Sequence, residues 1–113
     1  MSSQKAIVEK YIDGFRHSDH AKILSCLTDD IVWKLHGYRT LEGKAAFDGE
    51  INNENFTGKP TLNLEHLIEE GDRVAVMGNG QATEISGQVK NFVFCDVFAF
   101  REGLICQIDT YLV

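Results

Sequence analysis

Proline is almost missing from this sequence: Pro60 is the single one in 113 residues. No Pro-, Gly- or Ser-rich stretch and no internal repeat interrupts the chain. With no linker, residues 1–113 are expected to form a single domain, long enough to bury a core without staples. Cysteine is scarce and odd in number. Cys26, Cys95 and Cys106 share no CxxC spacing, which argues against a disulfide frame or a zinc site and leaves buried free thiols. No apolar run is long enough to cross a membrane, and MSSQKAIVEKYIDGF has no apolar segment followed by a small-residue cleavage site. A cytoplasmic chain without a membrane partner is expected. Positive charge is in deficit, with 11 Lys and Arg against 17 Asp and Glu, a net charge of −6. That balance and the lack of a basic stripe exclude nucleic acid as the expected partner. The acidic residues are scattered, so they form no acidic tail. His17, His20 and His66 show no ligand spacing with one another or with a carboxylate pair, so neither a metal nor another cofactor is expected.

Two periodicities divide the chain. Ile7, Val8, Tyr11, Ile12 and Phe15 recur on one helical stripe, which Ser2 or Ser3 can cap. A second short helix follows Ser18-Asp19, with Ile23, Leu24 and Leu27 inward, and Thr28-Asp29-Asp30 ends it. IVWKLH then begins a strand in which Trp33 and Leu35 share a face, and KAAFDGEI reads as a third helix. From residue 61 the pattern alternates. TLNLEHLIEE and RVAVMGNGQATE are strands joined at Gly71-Asp72, and NFVFCDVFAF and LICQIDTYLV are joined at Arg101-Glu102-Gly103. Gly78, Gly80 and Gly87 permit bulges and sharp bending there. Helices followed by a meander of bent strands predict an α+β fold, a strongly curved antiparallel or mixed sheet wrapped like a cone around the N-terminal helices, with a cavity inside.

The strand NFVFCDVFAF carries the chemistry. Alternation puts Phe92, Phe94, Asp96, Phe98 and Phe100 on one face and Val93, Cys95, Val97 and Ala99 on the other. Asp96 is then the single charge on a phenylalanine surface, and burying an unpartnered carboxylate costs several kcal/mol. Two readings follow. Either the phenylalanines line a ligand pocket and desolvation raises the Asp96 pKa so that it exchanges a proton, or a neighbouring hydroxyl or amide satisfies Asp96 and it holds strands in register. Tyr11, on the helical stripe, is the natural partner, since a buried phenol needs a place for its hydroxyl; a core aromatic whose hydroxyl reaches water is the alternative. Trp33, Leu35 and Phe15 face the same interior. His36 at the strand end reads as exposed, and Arg39 in the following loop either guards the pocket mouth or is simply solvated.

Taken in order, IVEKYIDGF, LTDDIVW, EGKAAF and the pair CDVFAFREG–LICQIDTYLV resemble the nuclear transport factor 2-like superfamily over essentially the whole chain, and most of all its SnoaL-like members. The resemblance implies a homodimer through the outer sheet face that carries Val93, Cys95, Val97 and Ala99. It extends to ketosteroid isomerase, where a tyrosine and a protonated aspartate stabilise an oxyanion; the match puts Tyr11 and Asp96 at those two positions. Leu35 falls where the catalytic base of that enzyme should be, which argues against steroid isomerisation. Limonene epoxide hydrolase needs an Arg-x-Asp unit and a further aspartate, but QATEISG has no arginine and Thr110 takes the place of that aspartate. SnoaL-type polyketide cyclases are the better analogy, because one pocket aspartate can serve as both acid and base. The resemblance therefore implies a small apolar ligand lined by Trp33, Leu35, Phe92, Phe94, Phe98 and Phe15, with Asp96 and Tyr11 as the catalytic pair. Binding without turnover remains the other reading.

Overall fold

A helix that buries the stripe of Val8, Tyr11 and Ile12 is the first element. The computed structural model describes residues 3–51 and 56–113, with the backbone alone at Ser3 and Phe56. Helix α1 spans Ser3–Arg16, with Val8, Tyr11 and Ile12 buried and Ile7 and Phe15 half-buried against the core. The cap expected from Ser2 or Ser3 lies outside the described residues. Helix α2 spans His20–Leu24 and opens on Asp19, whose carboxylate accepts from the Lys22 backbone N–H at 3.1 Å. Strands β1 (Leu27–Leu35) and β2 (Arg39–Glu42) precede helix α3 (Lys44–Ile51).

Strands β3 and β5 begin earlier than the sequence reading sets them, at Phe56 and Val89, and two further differences lie near β1. Strand β1 begins at Leu27, which already pairs with Ile105, and an irregularity between Leu27 and Val32 absorbs the polar Thr28-Asp29-Asp30. Those residues look like a turn because a bulged strand interrupts alternation as a turn does. Arg39 lies not in a loop but in β2, which pairs antiparallel with Val32–Leu35 at the sheet edge and is too short to display a period.

Strands β3 (Phe56–Glu70), β4 (Arg73–Glu84), β5 (Val89–Arg101) and β6 (Leu104–Leu112) complete an open six-stranded sheet in the order β2-β1-β6-β5-β4-β3. Strands β1 and β6 run parallel and the other neighbours antiparallel, so the sheet is mixed. The expected α+β architecture is present.

Bending has a local cause. The β3–β4 register breaks between Thr57 and Thr61 and again between Leu64 and His66. Across from the short run between those breaks, a Cβ on Gly78 would stand 2.1 Å from the Asn63 carbonyl oxygen, and one on Gly80 2.3 Å from that of Thr61. Only glycine lets the two backbones come so close. Pro60 sits in the irregular stretch of β3, an edge strand where its missing N–H is tolerated.

Strand β5 follows its alternation as far as Phe98: Phe94, Asp96 and Phe98 are buried and Phe92 is half-buried. A register shift between Ala99 and Phe100 then leaves both of those residues buried as well. Helices and inner sheet face together enclose a core that includes Ile23, Phe47, Val74, Val76, Phe98, Ile105 and Ile108. Each such side chain stabilises the fold by about 1.5–3 kcal/mol. No described helix is long and apolar enough to cross a membrane.

Candidate functional site: an apolar pocket entered by Asp96

Where the core stops short of filling the curved sheet, a cavity of about 430 Å³ opens. Helix α1 contributes Tyr11, Ile12 and Phe15 to its wall, and β1 contributes Trp33 and Leu35. Phe92, Phe94 and Asp96 come from β5, Thr110 and Leu112 from β6, and Pro60 and Leu62 from β3. His36, Tyr38 and Glu50 also border it, and the exposure of Tyr38 (59%) marks that side as the mouth. The size is that of a small-molecule site with few polar groups.

Aromatic packing makes the wall rigid. Trp33 stacks on Phe47 with ring centroids 4.3 Å apart and meets the edge of Phe15 at 6.0 Å. Tyr11 contacts Phe15 and Phe98 edge-on at 5.1 and 5.3 Å. Such edge and offset contacts suit the ring quadrupoles.

Asp96 enters this surface from the middle of β5, facing Val76 on one side and Thr110 on the other. It is buried, and its Oδ1 has no hydrogen-bond partner. Burial pushes its pKa up to about 6, against a hydrogen bond from the Thr110 hydroxyl that draws it down. Thr110 Oγ1 in turn accepts from Trp33 Nε1 at 2.8 Å. The Tyr11 phenol is pushed well above its ordinary range, by burial first and then by the negative charges of Asp96 and Cys26, so it stays protonated and can donate. At pH 7 a carboxyl with a pKa near 6 is ionised in about nine molecules of ten. A single group here can therefore give or take a proton close to neutrality.

Tyr11 and Asp96 thus share one cavity with Phe15, Trp33, Leu35, Phe92 and Phe94. Phe98 does not line it: with no exposed surface, it lies against Tyr11 as core, because β5 has passed the open space at Phe92, Phe94 and Asp96 before it runs under the helix. His36 is at the rim, bonded through Nε2 to Asp109 at 2.8 Å and stacked on Tyr111 at 4.4 Å. Arg39 stays behind the wall. It donates to the Tyr38 hydroxyl at 2.7 Å and pairs with Glu50 at 2.9 Å, so it holds two residues that border the mouth without bordering it. The sequence alone does not point to Glu50 or Leu62, and it points to Thr110 only as the residue in place of an epoxide hydrolase aspartate. Only the parallel β1–β6 register, which sets Leu35 beside Thr110 and brings Trp33 within reach of it, assigns Thr110 its place. Among the described residues no group of three or more His, Cys, Asp or Glu side chains could hold a metal ion.

Residues 8–108 match the SnoaL-like domain family. The chain belongs to it. Solved structures share the fold of this SnoaL-like domain. An NTF2-like protein of unknown function from Burkholderia pseudomallei superposes with a TM-score of 0.91 at 20% identity, covering 100% of this chain and 92% of its own. TerC, co-crystallised with polyporic acid, gives 0.88 at 24% identity over 99% of this chain and 92% of its own. A Mycobacterium tuberculosis LEH-like epoxide hydrolase gives 0.86 at 16% identity, with 98% and 83% covered. At these identities the likeness is one of fold. No curated protein matches the chain.

Proposed function

We propose that this SnoaL-like domain binds a small, largely apolar molecule in the pocket and exchanges a proton with it through Asp96. Tyr11 serves as a hydrogen-bond donor to the same ligand. The observation that carries this reading is the Asp96 carboxyl, a buried titratable group among the side chains that line a largely apolar cavity. Holding a carboxyl in such a setting is costly, and a polar group of a ligand that bonds to it recovers part of that cost. The isomerase and cyclase class of reaction fits, since such chemistry needs one group that both gives and takes a proton. Leu35 supports a second reading, binding without turnover, because it puts a hydrocarbon where a ketosteroid isomerase would carry its base. Three free cysteines fit a reducing compartment, and on that ground we place the chain in the cytoplasm.

A thermal-shift screen of planar apolar molecules tests the pocket, with polyporic acid, the molecule crystallised with TerC, as the first probe. Binding should raise the melting temperature of the parent protein. Asp96→Asn should abolish the rise. Tyr11→Phe should weaken binding by the worth of one hydrogen bond, about 0.5–1.5 kcal/mol. A panel that shifts parent and Asp96→Asn equally would remove Asp96 from the site. Conversion of a bound compound by the parent and not by Asp96→Asn would decide for turnover over binding alone.

A further inference from the structure

The acids and bases around the cavity are unevenly matched. Asp96 and Glu50 line it, and among the described residues no lysine or arginine does. Residues 52–55, outside them, include none either. Glu50 pairs with Arg39 at 2.9 Å, so its charge is met from behind the wall. Arg16, at the end of α1, donates to the Leu62 carbonyl at 3.0 Å, and the His36 ring is bonded to Asp109. Among the described residues no ion pair reaches Asp96, and no basic side chain figures in the shift of its carboxyl. At pH 7 that carboxyl is nevertheless ionised in most molecules. Buried charges in proteins are paired. The wall lacks the counter-charge, and the cavity of about 430 Å³ has room for one. Six aromatic side chains, Tyr11, Phe15, Trp33, Tyr38, Phe92 and Phe94, share that wall. Aromatic rings attract a cation through their quadrupoles, and the net charge of −6 draws cations and repels anions.

We propose that the pocket selects its ligand by charge: it takes a small apolar amine in its protonated form, whose ammonium group supplies the counter-charge to Asp96. The inference rests on the reading of Asp96 as the proton-exchanging group of the pocket, and it names the form in which that group meets the ligand. A nearby opposite charge favours the ionised carboxyl. In the loaded pocket Asp96 is therefore a carboxylate, placed to take a proton rather than to give one. Coulomb attraction acts across a low-dielectric cavity, so the ammonium need not touch a particular carboxyl oxygen. An anion of the same shape meets an unpaired carboxylate in an apolar wall and is excluded.

Three probes of similar shape separate charge from fit: phenethylamine, phenethyl alcohol and phenylpropionate. Binding is read from the Trp33 indole resonance, which is unambiguous because the chain has a single tryptophan on the cavity wall. At about pH 7.5 phenethylamine, protonated as a lysine side chain is, should bind about tenfold tighter than the alcohol, and the carboxylate should not bind. Reciprocally, saturating amine should lower the midpoint of the labelled Asp96 carboxyl carbon from about 6 by about one unit, the same tenfold seen from the other site. At about pH 4.5, where the free protein holds Asp96 protonated, the preference for the amine should shrink. In Asp96→Asn it should vanish. An alcohol that binds the parent as tightly as the amine overturns the proposal. So does an amine that leaves the Asp96 midpoint in place, or a preference that survives in Asp96→Asn. Should that variant not fold, the parent decides alone: a preference equal at the two pH values sinks the counter-charge. Alcohol binding that depends on Asp96 and shows no preference for the amine would overturn this inference and leave the pocket reading standing. Failure of all three probes also overturns it, while the wider screen still decides the pocket.

Discussion

Asp96 ties the stability of the chain to pH with a definite sign. Its carboxyl titrates at about 6 in the folded state and near 3.8 when unfolded, because burial disfavours the charge. Between those values the native state holds more protons than the unfolded one, so this contribution is fully present below pH 4 and lost as pH rises through 6. A shift of that size corresponds to about 3 kcal/mol. Asp13 and Asp30 work the other way, since hydrogen bonds from Lys22 and Arg101 hold their carboxyls low and favour the fold above the unfolded pKa. The comparison with Asp96→Asn isolates the pocket residue from them. Urea denaturation at pH 4.5 and pH 8 should give a parent that loses stability relative to Asp96→Asn as pH rises, with the variant the more stable at pH 8. A difference independent of pH would mean that Asp96 is solvated in the folded chain. The same residue would then be ordinary, and the case for the pocket would lose its main support.

The elements that build the site were unequally visible in the sequence. Strand β5 is legible as far as Phe98 because its alternation is clean and one face is all phenylalanine apart from Asp96; the register shift between Ala99 and Phe100 leaves no sequence signal. The same pattern cannot separate Phe98 from Phe92 and Phe94: period two assigns a face, whereas distance along the strand decides whether that face meets helix or cavity. Thr110 was hidden for a different reason. Its place depends on a parallel strand pairing that brings it to Trp33, 77 positions away in the chain, and no local pattern encodes such a contact. Gly78 and Gly80 were legible as bends, and the geometry supplies their cause. Gly78→Ala should cost about 1–3 kcal/mol, because the new methyl group would enter the contact between the β3 and β4 backbones, only 2.1 Å from the Asn63 oxygen. Chemical denaturation measures this. A variant as stable as the parent would show that β3 can move away freely, and that the curvature closing the pocket does not depend on this approach.

At the scale of the whole molecule, the outer face of the sheet is the surface with an unexplained composition. By register, Ile68, Ala75 and Val97 form one cross-strand row that ends at Asp109, and Met77, Cys95 and Tyr111 form the next, which His66 begins. Val93 extends the band and is 56% exposed, as Ile68 is at 57%; Ala99, expected in the same row, is buried and adds no surface. We propose that a second copy of the chain covers this band. Adjacent apolar rows, each three strands wide, are uncommon on a monomer, and a two-fold pairing of the face with itself would close without leaving a free repeat. Sedimentation at tens of micromolar, about where modest interfaces associate, should give twice the mass of the chain. Val93→Glu sets a charge on each copy facing a desolvated apolar partner, so it should yield the monomer, while the exposed position leaves the fold intact. The Asp96 carboxyl should still titrate near 6 in that monomer, since the pocket lies on the opposite face of the sheet. A parent that sediments as a monomer, or a Val93→Glu protein that remains a dimer, would place the contact elsewhere, on the helices or at the β2 or β3 edge.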